Sequence, residues 1–120
     1  MTLARRLVAE ALGTAFLLAI VVGSGIMGER LAAGNTALAL LANALATGAG
    51  LIALILTFAP ISGAHFNPAV TLVMLLRGAV GTRDAALFIP LQIAGCILGA
   101  VVGKVMSMMG YGNGPAPADH

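Results

Sequence analysis

Three apolar runs decide what this chain can fold into. They cover residues 7–27, 37–59 and 85–106, with few polar side chains inside them, chiefly Glu10 in the first, Asn43 and Thr47 in the second, and Gln92 with a closing Lys104 in the third. A helix of about 20 apolar residues is ~30 Å long and matches the hydrocarbon thickness of a bilayer. Burial inside a soluble domain fails as an alternative on composition. Only 8% of the residues are charged against 60% apolar, whereas a soluble domain carries about 25% charged residues to cover its surface. The expected fold class is an all-α membrane protein with three transmembrane helices.

The charges narrow the reading further. Net charge is +2, but the six Lys and Arg residues stand singly or at span ends and make no basic face, which excludes a nucleic-acid partner. Arg5 and Arg6 ahead of an apolar run could open a secretory leader. Such a leader has an apolar core of only about 7–15 residues and a small-residue cleavage site. The run here is longer and carries Glu10 in its first turn, so a first spanning helix is expected. With the N-terminus cytoplasmic, Arg5, Arg6, Arg77 and Arg83 share the cytoplasmic side and Arg30 and Lys104 the other, in line with the positive-inside rule. Cys96 is the lone cysteine; it forms no internal disulfide and reads as a small packing residue.

Between the second and third runs lies SGAHFNPAVTLVMLLR, residues 62–77. Asn67 is a good N-cap, Pro68 suits the first helical position, and the apolar stretch to Leu76 closes at Arg77-Gly78. About ten helical residues reach ~15 Å, half a bilayer core. Pro60 and Ser62-Gly63 are expected to end the second span, so residues 60–77 read as a re-entrant loop and half-helix. Residues 28–36 read as a polar loop and residues 78–84 as a turn. Residues 1–110 then form one unit, and residues 111–120, rich in Gly, Pro and Ala, are expected to be a disordered tail.

A re-entrant loop creates a demand for partners. Irregular backbone at membrane depth survives only when buried in protein or facing water. Glu10, Thr14 one turn on, and Gln92 are the polar groups available inside the spans, and we assign them to supporting residues 61–66. Gly95, Gly99 and Gly103 recur every fourth residue and make a smooth stripe for close helix packing. His65 has no second metal-ligating residue at suitable spacing; it reads either as a pore-lining polar residue or as a hydrogen-bond partner within the loop. No nucleophile–base pair, phosphate loop or carboxylate pair is present, so neither catalysis, a metal nor a cofactor is expected.

With these residues in view, the chain resembles the N-terminal half of an aquaporin, a member of the major intrinsic protein family. The triplet Asn67-Pro68-Ala69 with its flanks Ser62-Gly63-Ala64-His65 and Val70-Thr71-Leu72 carries the resemblance. Ala9-Glu10 through Gly13-Thr14 and the pair Gln92 and Gly95 add to it. It covers roughly residues 4–105.

The resemblance implies half of an inverted-repeat channel fold. Two half-helices would meet at the membrane midplane, and Asn67 would offer a hydrogen bond to passing water or a small neutral solute. It also places one position of the outer filter some twenty residues before Asn67, at Thr47. A threonine where water-selective members hold an aromatic implies a wider opening, suited to glycerol or undissociated metalloid acids as well as water. The partners implied are the bilayer, the solute, and a second aquaporin-type half or a homo-oligomer, tetrameric by family analogy. A multi-pass protein of a bacterial inner membrane is expected. The alternative is a truncated, non-conducting fragment that serves only as a structural partner of a full-length relative.

Overall fold

The computed structural model describes residues 2–109; the expected tail, residues 111–120, lies outside them. The described residues form four helices, α1 (Leu3–Leu31), α2 (Thr36–Ser62), α3 (Pro68–Leu76) and α4 (Thr82–Ser107). Helices α1, α2 and α4 are long and apolar enough to cross a membrane; α3, at nine residues, is not.

The three long helices outrun the apolar runs from which they were read. The polar loop expected at 28–36 shrinks to residues 32–35, because Gly28 to Leu31 continue α1. Hydropathy marks where hydrocarbon ends, but the backbone ladder has no reason to stop there, and Glu and Arg are good helix formers. The short connection turns through Ala33 (φ 55°) and Gly34 (φ 86°), and the Asn35 side chain caps α2 by accepting from the Leu38 N–H at 3.0 Å.

Pro60 does not end the second span. It lies inside α2, which runs on to Ser62 and closes at Gly63 in a left-handed cap (φ 90°) whose N–H donates to the Ala59 carbonyl. Proline removes one ladder bond. This close to the C-terminus that loss is local, and the cap is what stops the helix.

Packing is organised around α1. Helix α4 runs parallel to it on the stripe of small residues: Gly95 meets Ala11 and Thr14, Gly99 meets Ala15, and Gly103 meets Ala19 and Gly23. A Cβ at Gly99 would lie 2.0 Å from the Ala15 carbonyl oxygen, so the two backbones touch. Helix α2 runs antiparallel on the neighbouring face, with Gly50 against Ile20, Asn43 against Gly25 and Ala39 against Gly28. The Ser24 hydroxyl donates to Asn43 Oδ1 at 2.8 Å across this seam.

At the end where α1 and α4 begin, Arg6 pairs with Asp84 at 2.8 Å and lies over the Phe88 ring. Both charges are partly exposed, a setting in which an ion pair is worth at most about 1 kcal/mol.

Not every glycine is a contact. Gly48 has nothing within 4 Å of where a Cβ would be. Gly48→Ala should fold at wild-type yield, with a thermal midpoint unchanged or slightly raised, since alanine gains roughly 0.5–1 kcal/mol over glycine in a helix interior.

Candidate functional site: the Asn67 corner

Serine 62 ends α2 level with Glu10, so α2 stops about 10 Å short of the end where α1 begins. The chain then bends through residues 63–67 and starts α3. Three of these five residues adopt positive φ: Gly63 (90°), Ala64 (55°) and Phe66 (57°). Left-handed backbone costs a non-glycine residue roughly 1–2 kcal/mol, so something must hold Ala64 and Phe66 there.

Phe66 is held on every side. Its ring is buried, stands edge-on to Phe58 at 6.0 Å, and fills the space beside Gly13, where a Cβ would fall 2.0 Å from a ring carbon. Its N–H donates to Glu10 Oε1 at 3.1 Å.

Glu10 is the hub. It is 0% exposed and accepts three hydrogen bonds: from the Phe66 N–H, from the Ser62 hydroxyl at 2.8 Å, and from Gln92 Nε2 at 2.8 Å. The Ser62 oxygen in turn accepts from the Ala64 N–H at 3.2 Å. The carboxylate thus ties the end of α2, the bend and α4 to α1. The other Gln92 amide proton goes to Thr71 Oγ1 at 2.8 Å, and Thr71 Oγ1 lies 2.9 Å from His65 Nδ1. The His65 ring, half-buried, stands edge-on to Phe88 at 5.5 Å.

Asn67 follows in extended backbone and caps α3. Its Oδ1 accepts from the Ala69 N–H at 2.7 Å, and Pro68 takes the first helical position. That use of Oδ1 fixes the amide, leaving Nδ2 as a pair of donors with no partner among the described residues. Asn67 and Ala69 are exposed and Pro68 is half-buried. The corner adjoins Gly13, some 15 Å along α1 from Leu3, well inside both ends of α1 and α4.

The assigned residues divide. Glu10, Gln92, His65, Asn67, Pro68 and Ala69 converge on the corner. Gln92 makes no hydrogen bond to the loop backbone; it acts through Glu10 and Thr71. Thr14 is buried, but its hydroxyl makes no hydrogen bond. Its Cβ lies against Gly95 instead, so its contribution is packing between α1 and α4 rather than support of the bend. Gln92 Oε1 is likewise buried without a partner. Thr47 is on the half-buried stripe of α2 with Asn43 and Gly50, which face α1, and its side chain makes no hydrogen bond to Asn67. Ser62, Thr71, Phe66 and Gly13 complete the site; the sequence marks Ser62, Thr71 and Gly13 as parts of the family pattern but not as partners of Glu10, Gln92 and Phe66.

Residues 1–117 match the family model described as Major intrinsic protein. The chain belongs to the major intrinsic protein family. It is 54% identical over 104 residues to Aquaglyceroporin AqpS of Rhizobium meliloti (strain 1021), covering 87% of this chain and 44% of the relative. It is 42% identical over 91 residues to Aquaporin A of Dictyostelium discoideum, covering 76% of this chain and 32% of the relative. With Probable aquaporin PIP2-8 of Oryza sativa subsp. japonica the identity is 36% over 105 residues, covering 88% and 37%. The major intrinsic protein chain thus spans less than half the length of these relatives. No solved structure matches it. Family and helices together make it a multi-pass membrane protein of a channel family.

Proposed function

We propose that this chain forms one wall of a channel that passes water or small uncharged solutes, with the Asn67 corner at membrane depth facing the water file. A complementary aquaporin-type half, from the same polypeptide or another, would supply the opposite wall. The observation that carries this reading is the state of the Asn67 amide: its oxygen is spent on the helix cap, and its Nδ2 protons are unpartnered and exposed. A passing oxygen is the natural acceptor.

The N-terminus of α3 adds roughly half a positive charge at the same point. At membrane depth that charge opposes cations, the general account of selectivity in aquaporin-type pores. Nothing in this chemistry calls for catalysis, and we assign none. Thr47, in place of an aromatic, suits a pore open to glycerol or undissociated metalloid acids as well as water. The aquaglyceroporin name of the Rhizobium relative is in keeping with that width. We place the N-terminus in the cytoplasm of a bacterial cell, with α3 dipping in from that face.

The test is osmotic shrinkage of proteoliposomes holding the assembled channel, in water and glycerol gradients. Asn67→Ala should cut the protein-dependent permeability. Because it also removes a cap worth about 1 kcal/mol, Asn67→Asp is the sharper variant: it keeps the capping oxygen and replaces the donor with a carboxylate. It should fold at wild-type yield, lose solute flux and admit cations. Wild-type vesicles no faster than empty ones, or unchanged flux in both variants, would overturn the reading.

A further inference from the structure

The chain of hydrogen bonds running outward from Glu10 leaves each proton only one place to go. The Glu10 carboxylate only accepts. Gln92 Nε2 lies 2.8 Å from Glu10 Oε1 and 2.8 Å from Thr71 Oγ1, so both amide protons are spent, one on each. Turning the amide over would set its oxygen against the carboxylate, which fixes the orientation. Thr71 Oγ1 therefore accepts from Gln92. Its own proton needs an acceptor in a site where Thr71 is 0% exposed. Its one other hydrogen-bonding neighbour among the described residues is His65 Nδ1, at 2.9 Å.

We propose that Thr71 is a positioning residue that holds His65 in the tautomer with Nδ1 bare and the proton on Nε2. The opposite tautomer would point an Nδ1 proton at a hydroxyl whose own proton then has no acceptor. Leaving a buried donor unmade disfavours that form by about fivefold or more. Phe88, edge-on at 5.5 Å, keeps the ring from swinging away. Nε2 lies on the Gly63 side of the bend, 3.4 Å from where a glycine Cβ would be.

The consequence for permeation rests on the channel reading above. His65 then offers a donor, as Asn67 does through Nδ2, and the bend presents donors to whatever passes. These two side chains suit uncharged solutes that bring oxygen lone pairs and offer no acceptor of their own to a solute that can only donate, such as an ammonium ion. Thr71 itself touches no solute; it sets which proton His65 shows.

The experiment is solid-state NMR of histidine-labelled protein in bilayers, at a pH near 8.5 where an ordinary imidazole is neutral, with His120→Gln to leave one signal. Wild type should give a single tautomer, its bare nitrogen correlated with Cγ and its protonated nitrogen with Cδ2. Thr71→Val should give both tautomers, and Thr71→Ser should restore one. A proton on Nδ1 in wild type, or the wild-type spectrum persisting in Thr71→Val, would overturn the assignment. Should Thr71→Val not fold, the wild-type and Thr71→Ser spectra decide it alone, since a proton on Nδ1 in either is fatal. This readout needs no flux, so a chain that fails to conduct would sink the channel reading and leave the tautomer standing.

Discussion

Glu10→Ala should abolish most of the folded yield. Removing the carboxylate strands three buried donors at once: the Phe66 N–H, the Ser62 hydroxyl and one Gln92 amide proton. Each unmade bond costs roughly 1–3 kcal/mol, so the sum is at least about 3 kcal/mol, set against a total stability of about 5–15 kcal/mol for an ordinary protein. The bend itself adds to the damage, because Ala64 and Phe66 hold left-handed backbone that no longer has an anchor. Glu10→Gln is the contrast. Its carbonyl can still accept from Phe66 and Gln92, and its amide can donate to the Ser62 oxygen, so it should recover most of the yield. Monodisperse protein on size-exclusion chromatography, scored for the three chains side by side, checks this. Wild-type yield for Glu10→Ala would show that the bend is held by packing and not by the carboxylate.

Gly99→Ala should be nearly as damaging for a different reason. Its Cβ would lie 2.0 Å from the Ala15 carbonyl oxygen and 2.7 Å from the Ala15 carbonyl carbon. Those are backbone atoms and cannot rotate away. The two helices must separate, and over-packing of this kind costs about 1–3 kcal/mol or more. Separation also pulls Gln92 from Glu10, because both lie within two turns of the same contact on facing helices. The thermal unfolding midpoint in detergent should fall well below wild type, while Gly48→Ala stays level with it. Equal midpoints for Gly99→Ala and wild type would mean that α1 and α4 do not pack as closely as described.

Much of this was readable from sequence because hydrocarbon is an unforgiving solvent. A carboxylate and an amide inside apolar runs must find partners, which marks Glu10 and Gln92 in the sequence itself. Glycines at every fourth residue can have few uses but close packing. What stayed hidden were the partners. Ser62 and Thr71 are small hydroxyl residues of a kind found anywhere, and only the fold brings them to Glu10 and Gln92. Gly13 belongs to no stripe; its meaning comes from the Phe66 ring that takes the place of its side chain. Thr14 misled because one-turn spacing from Glu10 puts it on the same face, yet that face also packs on Gly95. Pro60 misled because a breaker in the last turn breaks little.

A channel role requires that the Asn67 corner meet water at a depth where the rest of the molecule meets hydrocarbon. Ile97 is 64% exposed on α4, between Gly95 and Gly99, whose neighbours on α1 are Ala11 to Ala15. That puts it at about the height of Gly13 and so of the corner. In a chain carrying Cys96→Ser, single cysteines at position 67 or 97 can be challenged in bilayers with a small, polar, membrane-impermeant thiol reagent. The predicted result is labelling at 67 and none at 97. Silence at both positions would put Asn67 against side chains or lipid, labelling at both would put the corner in the headgroups, and either would contradict the channel account.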